Sequence, residues 1–284
     1  MGGGGSPAAA VDAASEPCNP HLMHTEKVSR DAPIPSPRAQ SQVQYLNHEL
    51  LDSVSAHDFR NRPPFPWTHI ENSLTPEGYE LLRATMPGTN SFDRHIGVKR
   101  AHGQVSHDRY MLHYRAGLEL PDPWRDFIAE LNGPAYHRFL RRLLGPRNYI
   151  CTFSWHYAWA GCSVSPHCDA ARKLATHIFH FNDPADWKPE WGGATLILAS
   201  DRKLPTHSAP AFDELTVAGA GGPAGNGSLL FQRTDHSWHG MKALACPEDK
   251  LRRIFSVTIN VPTAQVLWRR IRGKDPDGFP VRAA

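Results

Sequence analysis

In the run SVSPHCDAARKLATHIFHFNDP a histidine, His167, stands two residues before a carboxylate, Asp169. On an extended chain residues two apart project to the same side, so both can reach one ion. A third ligand has to come from another strand. The segment FQRTDHSWHGMKAL offers His239 and, less well placed, His236. Two imidazoles and one carboxylate on one face of an octahedron leave three positions open, the arrangement by which non-heme Fe(II) takes up further ligands and O2. With 17 His in 284 residues the residue type proves little, and the spacing carries the reading.

A keto acid that chelates such an ion has a second carboxylate to neutralise. A planar guanidinium suits that task because it binds both oxygens at once. In KLRRIFSVTIN, Arg252 and Arg253 follow His239 by 13 and 14 residues, behind the turn-type residues Pro247–Lys250. Arg253 alternates with Phe255 and Val257, and Arg252 with Ile254 and Ser256. Periodicity alone does not separate the two.

The elements that must position these groups are legible from period and punctuation. Thr75-Pro76 opens a helix in TPEGYELLRATMP that Pro87 closes. Asp122-Pro123 precedes a stripe of Trp124, Phe127, Ile128 and Leu131, and Pro134 starts a third helix that stops at Gly145. From there the period drops to two. In ICTFSWHYAW one face holds Cys151, Phe153, Trp155, Tyr157 and Trp159, the other Thr152, Ser154 and His156. Further strands are expected at 174–182, 194–199, 228–232 and 252–261, with 200–226 as a long loop insertion. Helices followed by short strands describe an α+β domain.

Residues 1–43 are rich in Gly, Ala, Ser and Pro and are expected to be disordered. A single domain is expected over 44–262, with a helical lead-in at 64–145 and a strand core at 149–262. Residues 263–284 read as a C-terminal extension. The net charge of +3 argues neither for nor against an acidic partner, and with no long basic run to suggest nucleic acid, no nucleic-acid partner is expected. No apolar stretch approaches the ~20 residues of a membrane span. Five cysteines without a C-x-x-C pair suggest free thiols and a cytoplasmic setting.

The stretch from Tyr157 to Val261 resembles the core of the Fe(II)/2-oxoglutarate-dependent dioxygenases, in particular their prolyl-4-hydroxylase-like branch. The matching motifs are PHCD, HIFHFN, WGGATLIL, SWHGM and RRIFSVTIN, in order. PFPWTHIENSLTPEGYELLRATMP resembles the lead-in of such proteins. The resemblance implies a double-stranded β-helix, or jelly roll, with His167, Asp169 and His239 as iron ligands and Arg253 as the 2-oxoglutarate salt bridge. Tyr157 takes the place of a tyrosine that lines the 2-oxoglutarate pocket. His180 falls where the branch has a second such tyrosine, a departure that makes it a candidate carboxylate contact. His177 reads as a plain strand residue.

The activity so implied is hydroxylation of an unactivated C–H in a small molecule or amino acid, free or peptidyl, with O2 consumed and succinate and CO2 released. Asp169 argues against halogenation, for which the superfamily replaces this carboxylate. Ile259, six residues after Arg253, argues against nucleic-acid dealkylation. Desaturation or cyclisation would use the same residues. A cupin-like metal site without 2-oxoglutarate, or a non-catalytic binding module, are the readings from other classes. The cationic cluster RHIGVKRAHGQVSHDRYMLHYR (94–115) reads either as a solvated loop and hairpin or as a lid that selects an anionic substrate.

Overall fold

The computed structural model describes residues 43–98 and 100–272. The N-terminal segment expected to be disordered therefore lies outside the described residues apart from Val43, as does the end of the C-terminal extension. In chain order the elements are α1 (His48–Ser53), α2 (Ala56–Asn61), β1 (Trp67–Glu71), α3 (Pro76–Ala84), β2 (Asp93–His95), β3 (Arg109–His113), α4 (Asp122–Leu131), α5 (Pro134–Leu144), β4 (Ile150–Ala158), β5 (Val164–His167), β6 (Lys173–His180), β7 (Thr195–Ala199), β8 (Thr216–Gly221), β9 (Gly227–Gln232), β10 (His239–Met241), β11 (Arg252–Asn260) and α6 (Ala264–Ile271).

The strands form a seven-stranded sheet, β1-β9-β6-β11-β4-β3-β2, and a four-stranded sheet, β5-β10-β7-β8. All their pairings are antiparallel. This is the jelly roll expected from the sequence, with two differences. The lead-in is not purely helical, because β1, β2 and β3 lie within it and extend the larger sheet at both edges. The segment 200–226 is not all loop, because its end forms β8 and pairs with β7. Its run of Ala and Gly hides a strand that has to be slim. A Cβ on Gly219 would sit 2.2 Å from the Trp67 ring, so glycine lets the indole of one sheet's edge strand pack against the other sheet.

The two faces of the large sheet divide the labour. On β4 and β11 the register pairs Phe153 with Val257, Trp155 with Phe255 and Tyr157 with Arg253. The aromatic and aliphatic members of this face pack against α4 and α5. Trp124 of α4 stands edge-on to Trp155, ring centroids 5.1 Å apart, and Phe127 meets Phe255 at 5.6 Å. Each of these rings is almost solvent-free, and burial of a side chain of this size stabilises by about 1.5–3 kcal/mol. The start of α3 is held as read: Thr75 Oγ1 accepts from the Gly78 N–H at 3.0 Å, with Pro76 in the first turn. The other face of the large sheet, with Ser154, His156, Ser256 and Thr258, turns inward toward the smaller sheet. Polar residues can line that interior because it holds a cavity rather than a packed core.

Candidate functional site

His167 ends β5 and His239 begins β10. The two are direct cross-strand partners, with ring centroids 4.3 Å apart. Asp169 follows two residues after His167 on the way to β6. One ligand atom from each of the three lies within 4.8 Å of the others, and no other such cluster occurs among the described residues. His236 is exposed and stands outside the cluster.

Each imidazole is fixed by the same local device. His167 Nδ1 donates to the Ser165 carbonyl at 2.9 Å, and His239 Nδ1 to the Ser237 carbonyl at 3.0 Å. That Nδ1 bond is the second interaction metal-ligating histidines make, and in this tautomer Nε2 carries the free lone pair. Burial pushes the His167 pKa down to about 3 and lowers that of His239 as well. Both rings are thus neutral and ready to coordinate at neutral pH.

Asp169 accepts from Thr176 Oγ1 at 2.9 Å and from Lys173 Nζ at 3.2 Å. Burial works to raise its carboxyl, but Lys173, the two histidines and the Thr176 hydroxyl hold it well below the usual carboxylate range. Arg233 Nε donates to the Asp169 carbonyl at 3.2 Å and braces the turn from behind. Two neutral imidazoles with directed lone pairs and one hydrogen-bonded carboxylate form a donor set that fits Fe(II) with open coordination positions.

The triad borders a cavity of about 210 Å3 between the sheets. Arg252 enters it from the first residue of β11 and is 5% exposed. Its Nε donates to the Gly193 carbonyl at 2.5 Å and its Nη2 to Thr195 Oγ1 at 2.9 Å. Among the described residues no carboxylate pairs with it, and burial alone pulls its pKa down to about 10. A buried guanidinium with only neutral acceptors is costly unless an anion joins it, so the donor set also fits the distal carboxylate of 2-oxoglutarate. The Gly-Gly pair of WGGATLIL serves this arrangement. Gly193 has φ +92°, and a Cβ there would lie 3.3 Å from Arg252 Cδ.

Three residues expected to contact 2-oxoglutarate are not among those lining this cavity. Arg253 is exposed on the opposite face of β11, its guanidinium 5.7 Å from the Tyr157 ring centroid. Tyr157 points the same way: its hydroxyl donates to the Pro87 carbonyl at 2.9 Å, and its ring lies 4.4 Å from that of Phe92. The physical reason is strand parity. The register sets Arg253 opposite Tyr157, and both share the helix-covered face with Phe255 and Trp155. His180 does face inward, but it is sealed against Gly221 and donates from Nδ1 to the Gly227 carbonyl at 3.1 Å. That leaves an acceptor, not a donor, at Nε2, and burial followed by Arg252 keeps the ring uncharged. His177 is a strand residue outside the triad, as read, but fully buried, and it is hydrogen-bonded through Nδ1 to the Tyr136 hydroxyl at 2.9 Å.

Part of the cluster 94–115 lines the cavity. His107 Nε2 is 2.9 Å from Ser165 Oγ, and its ring lies 5.0 Å from that of His167. Arg100, Arg109 and His113 line the same space, as do Ser154 and His156. The polar alternates Ser154 and His156 of ICTFSWHYAW were the sequence signal for the cavity face, and the β4–β11 register, not the sequence, puts Arg252 on it.

No family model and no curated protein matches this sequence. Solved structures do match. A prolyl-4-hydroxylase from Pseudomonas putida aligns over 76% of this chain and 99% of its own, with TM-score 0.50 and 12% identity. The non-heme alpha ketoglutarate dependent carbocyclase SnoK from nogalamycin biosynthesis aligns over 83% of this chain and 96% of its own, with TM-score 0.54 and 13% identity. The likeness is one of fold: the chain has the double-stranded β-helix shared by this prolyl-4-hydroxylase and this carbocyclase.

Proposed function

We propose that the protein is an Fe(II)/2-oxoglutarate-dependent oxygenase that hydroxylates an unactivated C–H of a small-molecule or amino-acid substrate, free or peptidyl. His167, Asp169 and His239 hold the iron, and Arg252 holds the distal carboxylate of 2-oxoglutarate. The observation that carries the reading is the pairing of a neutral two-histidine, one-carboxylate cluster with a buried, anion-free guanidinium in one cavity. A metal-only cupin site has no use for Arg252, and a binding module has none for the triad.

Bound there, Fe(II) and 2-oxoglutarate supply with O2 the oxidant for C–H cleavage, and succinate and CO2 leave. The chain's own part is orientation and charge. The Ser165 and Ser237 carbonyls keep both imidazoles in the ligating tautomer. Thr176 and Lys173 keep Asp169 ionised and aimed. Arg252 fixes one end of the cosubstrate, while Met111, Ile178, Phe231 and Ile254 limit the water in the cavity.

The test is O2-dependent formation of succinate from 2-oxoglutarate by the iron-loaded protein, compared with Asp169→Ala. Succinate from the wild type alone supports the reading. Equal turnover by the variant, or none by either, contradicts it.

A further inference from the structure

The cavity carries more positive charge than one iron site and one 2-oxoglutarate require. Arg100, Arg109, Lys173 and Arg252 line it, against the carboxylates of Asp108 and Asp169. Lys173 pairs with Asp169, and Arg252 belongs to 2-oxoglutarate in the reading above. Asp108 is turned to its own loop, where Oδ1 accepts from the Gly97 N–H at 2.9 Å and from the Ser106 hydroxyl. Among the described residues, that leaves two guanidiniums lining the same cavity without an ion pair.

Arg109 is the better defined of the two. On β3 the alternates Arg109, Met111 and His113 face the cavity, Met111 and His113 directly opposite His156 and Ser154 of β4. Its Nη1 donates to the His107 carbonyl at 2.7 Å, and Nη2 lies 3.5 Å from Met111 Sδ. Its Nε is shut off from solvent and has no hydrogen-bond partner. Burial first, and then the nearby Arg100, pull its pKa down to about 10, with Asp108 offsetting part of the fall. Arg100 donates from Nε to Gln104 Oε1 at 3.2 Å and feels the charge of Asp169 across the cavity. A charged group with an orphaned donor, next to a like charge, is arranged for an anion that the protein does not itself provide. Apolar side chains of Met111, Val164, Ile178 and Met241 share the lining and suit the body of an organic acid.

We propose that Arg109, assisted by Arg100, forms a second anion subsite in this cavity, and that the primary substrate is a carboxylic acid whose carboxylate docks there. The inference rests on the iron and 2-oxoglutarate reading for the remainder of the site. A guanidinium fork holds a carboxylate in one plane, which fixes the substrate's orientation as well as its charge. Neutral analogues of the same shape would leave two partly buried cations unpaired and be rejected.

The experiment uses the full chain, loaded without oxygen with Fe(II) and one equivalent of 2-oxoglutarate. The probes are matched pairs: 3-phenylpropanoate and its amide, N-acetylproline and its amide, benzoate and benzamide. Binding is read by saturation-transfer NMR. The acids are expected to bind at least about tenfold more tightly than the amides. Arg109→Gln should weaken the acids about ten- to hundredfold, the scale of a lost charge-assisted hydrogen bond, and Arg109→Lys should recover part of it. The same titration on metal-free protein keeps the subsite testable if no iron–2-oxoglutarate absorption band forms, a result that counts against the iron reading alone. A mere brace for His107 would lower the melting temperature of Arg109→Gln without moving the acid-to-amide ratio. Equal binding of acids and amides, no binding of any acid, or an unchanged ratio in Arg109→Gln overturns the proposal.

Discussion

Arg252 and Arg253 follow one another in the sequence and serve opposite faces of β11: one is buried in the cavity beside Thr195, the other lies exposed over the Tyr157 ring. The proposed cosubstrate contact therefore belongs to Arg252. Arg252→Gln is expected to weaken 2-oxoglutarate binding by about 2–5 kcal/mol, the cost of truncating one partner of a buried charge pair. Arg253→Gln should change it less than threefold. Calorimetric titration of 2-oxoglutarate into the iron-loaded variants checks this, and a larger loss for Arg253→Gln would reverse the assignment.

Gly193 sets the position of that guanidinium. Its φ of +92° disfavours any side chain, and a Cβ would press on Leu244, Pro223 and Arg252 at 3.2–3.3 Å. Gly193→Ala is expected to cost about 1–3 kcal/mol of stability and to weaken 2-oxoglutarate binding as Arg252 shifts. Denaturant unfolding together with the same titration measures both. A variant as stable as the wild type with unchanged affinity would show that the close approach is not needed.

The Tyr136–His177 hydrogen bond lies in the helix-covered core, away from the cavity. Burial pushes the His177 imidazole down to about 3, whereas a histidine in the unfolded chain titrates near 6.5. Between these values the unfolded state binds more protons, so stability falls as the pH drops from about 6.5 toward 3. At pH 4.5 this one group accounts for about 3 kcal/mol. Urea unfolding at pH 7 and pH 4.5 should show a smaller acid loss in the double variant Tyr136→Phe, His177→Phe than in the wild type. Equal losses would contradict a neutral, buried His177.

Much of this was legible in the sequence because local chemistry announced it. Thr75-Pro76, the α4 stripe and the alternation in β4 are signals carried by neighbouring residues, and the elements formed where they stand. The triad was legible because an H-x-D pair needs no long-range information beyond one later histidine. What stayed hidden depended on which side of a strand faces in. Arg252 and Arg253 are equivalent until the register with β4 sets Arg253 against Tyr157. The aromatic face of β4 packs under α4, and the modest Ser154 and His156 line the cavity. Strand β8 escaped notice because its Gly219 accommodates Trp67 from the other sheet, a contact with no local sequence signature.

The central claim is that His167, Asp169 and His239 bind Fe(II) in a cavity that also takes 2-oxoglutarate. An oxygen-free titration of the protein with Fe(II) and then 2-oxoglutarate, followed by visible absorption, tests it most directly. The expected result is a chelate absorption band that saturates at one equivalent of each in the wild type and is lost in His239→Ala. No band in the wild type, or a band of equal strength in His239→Ala, would contradict it.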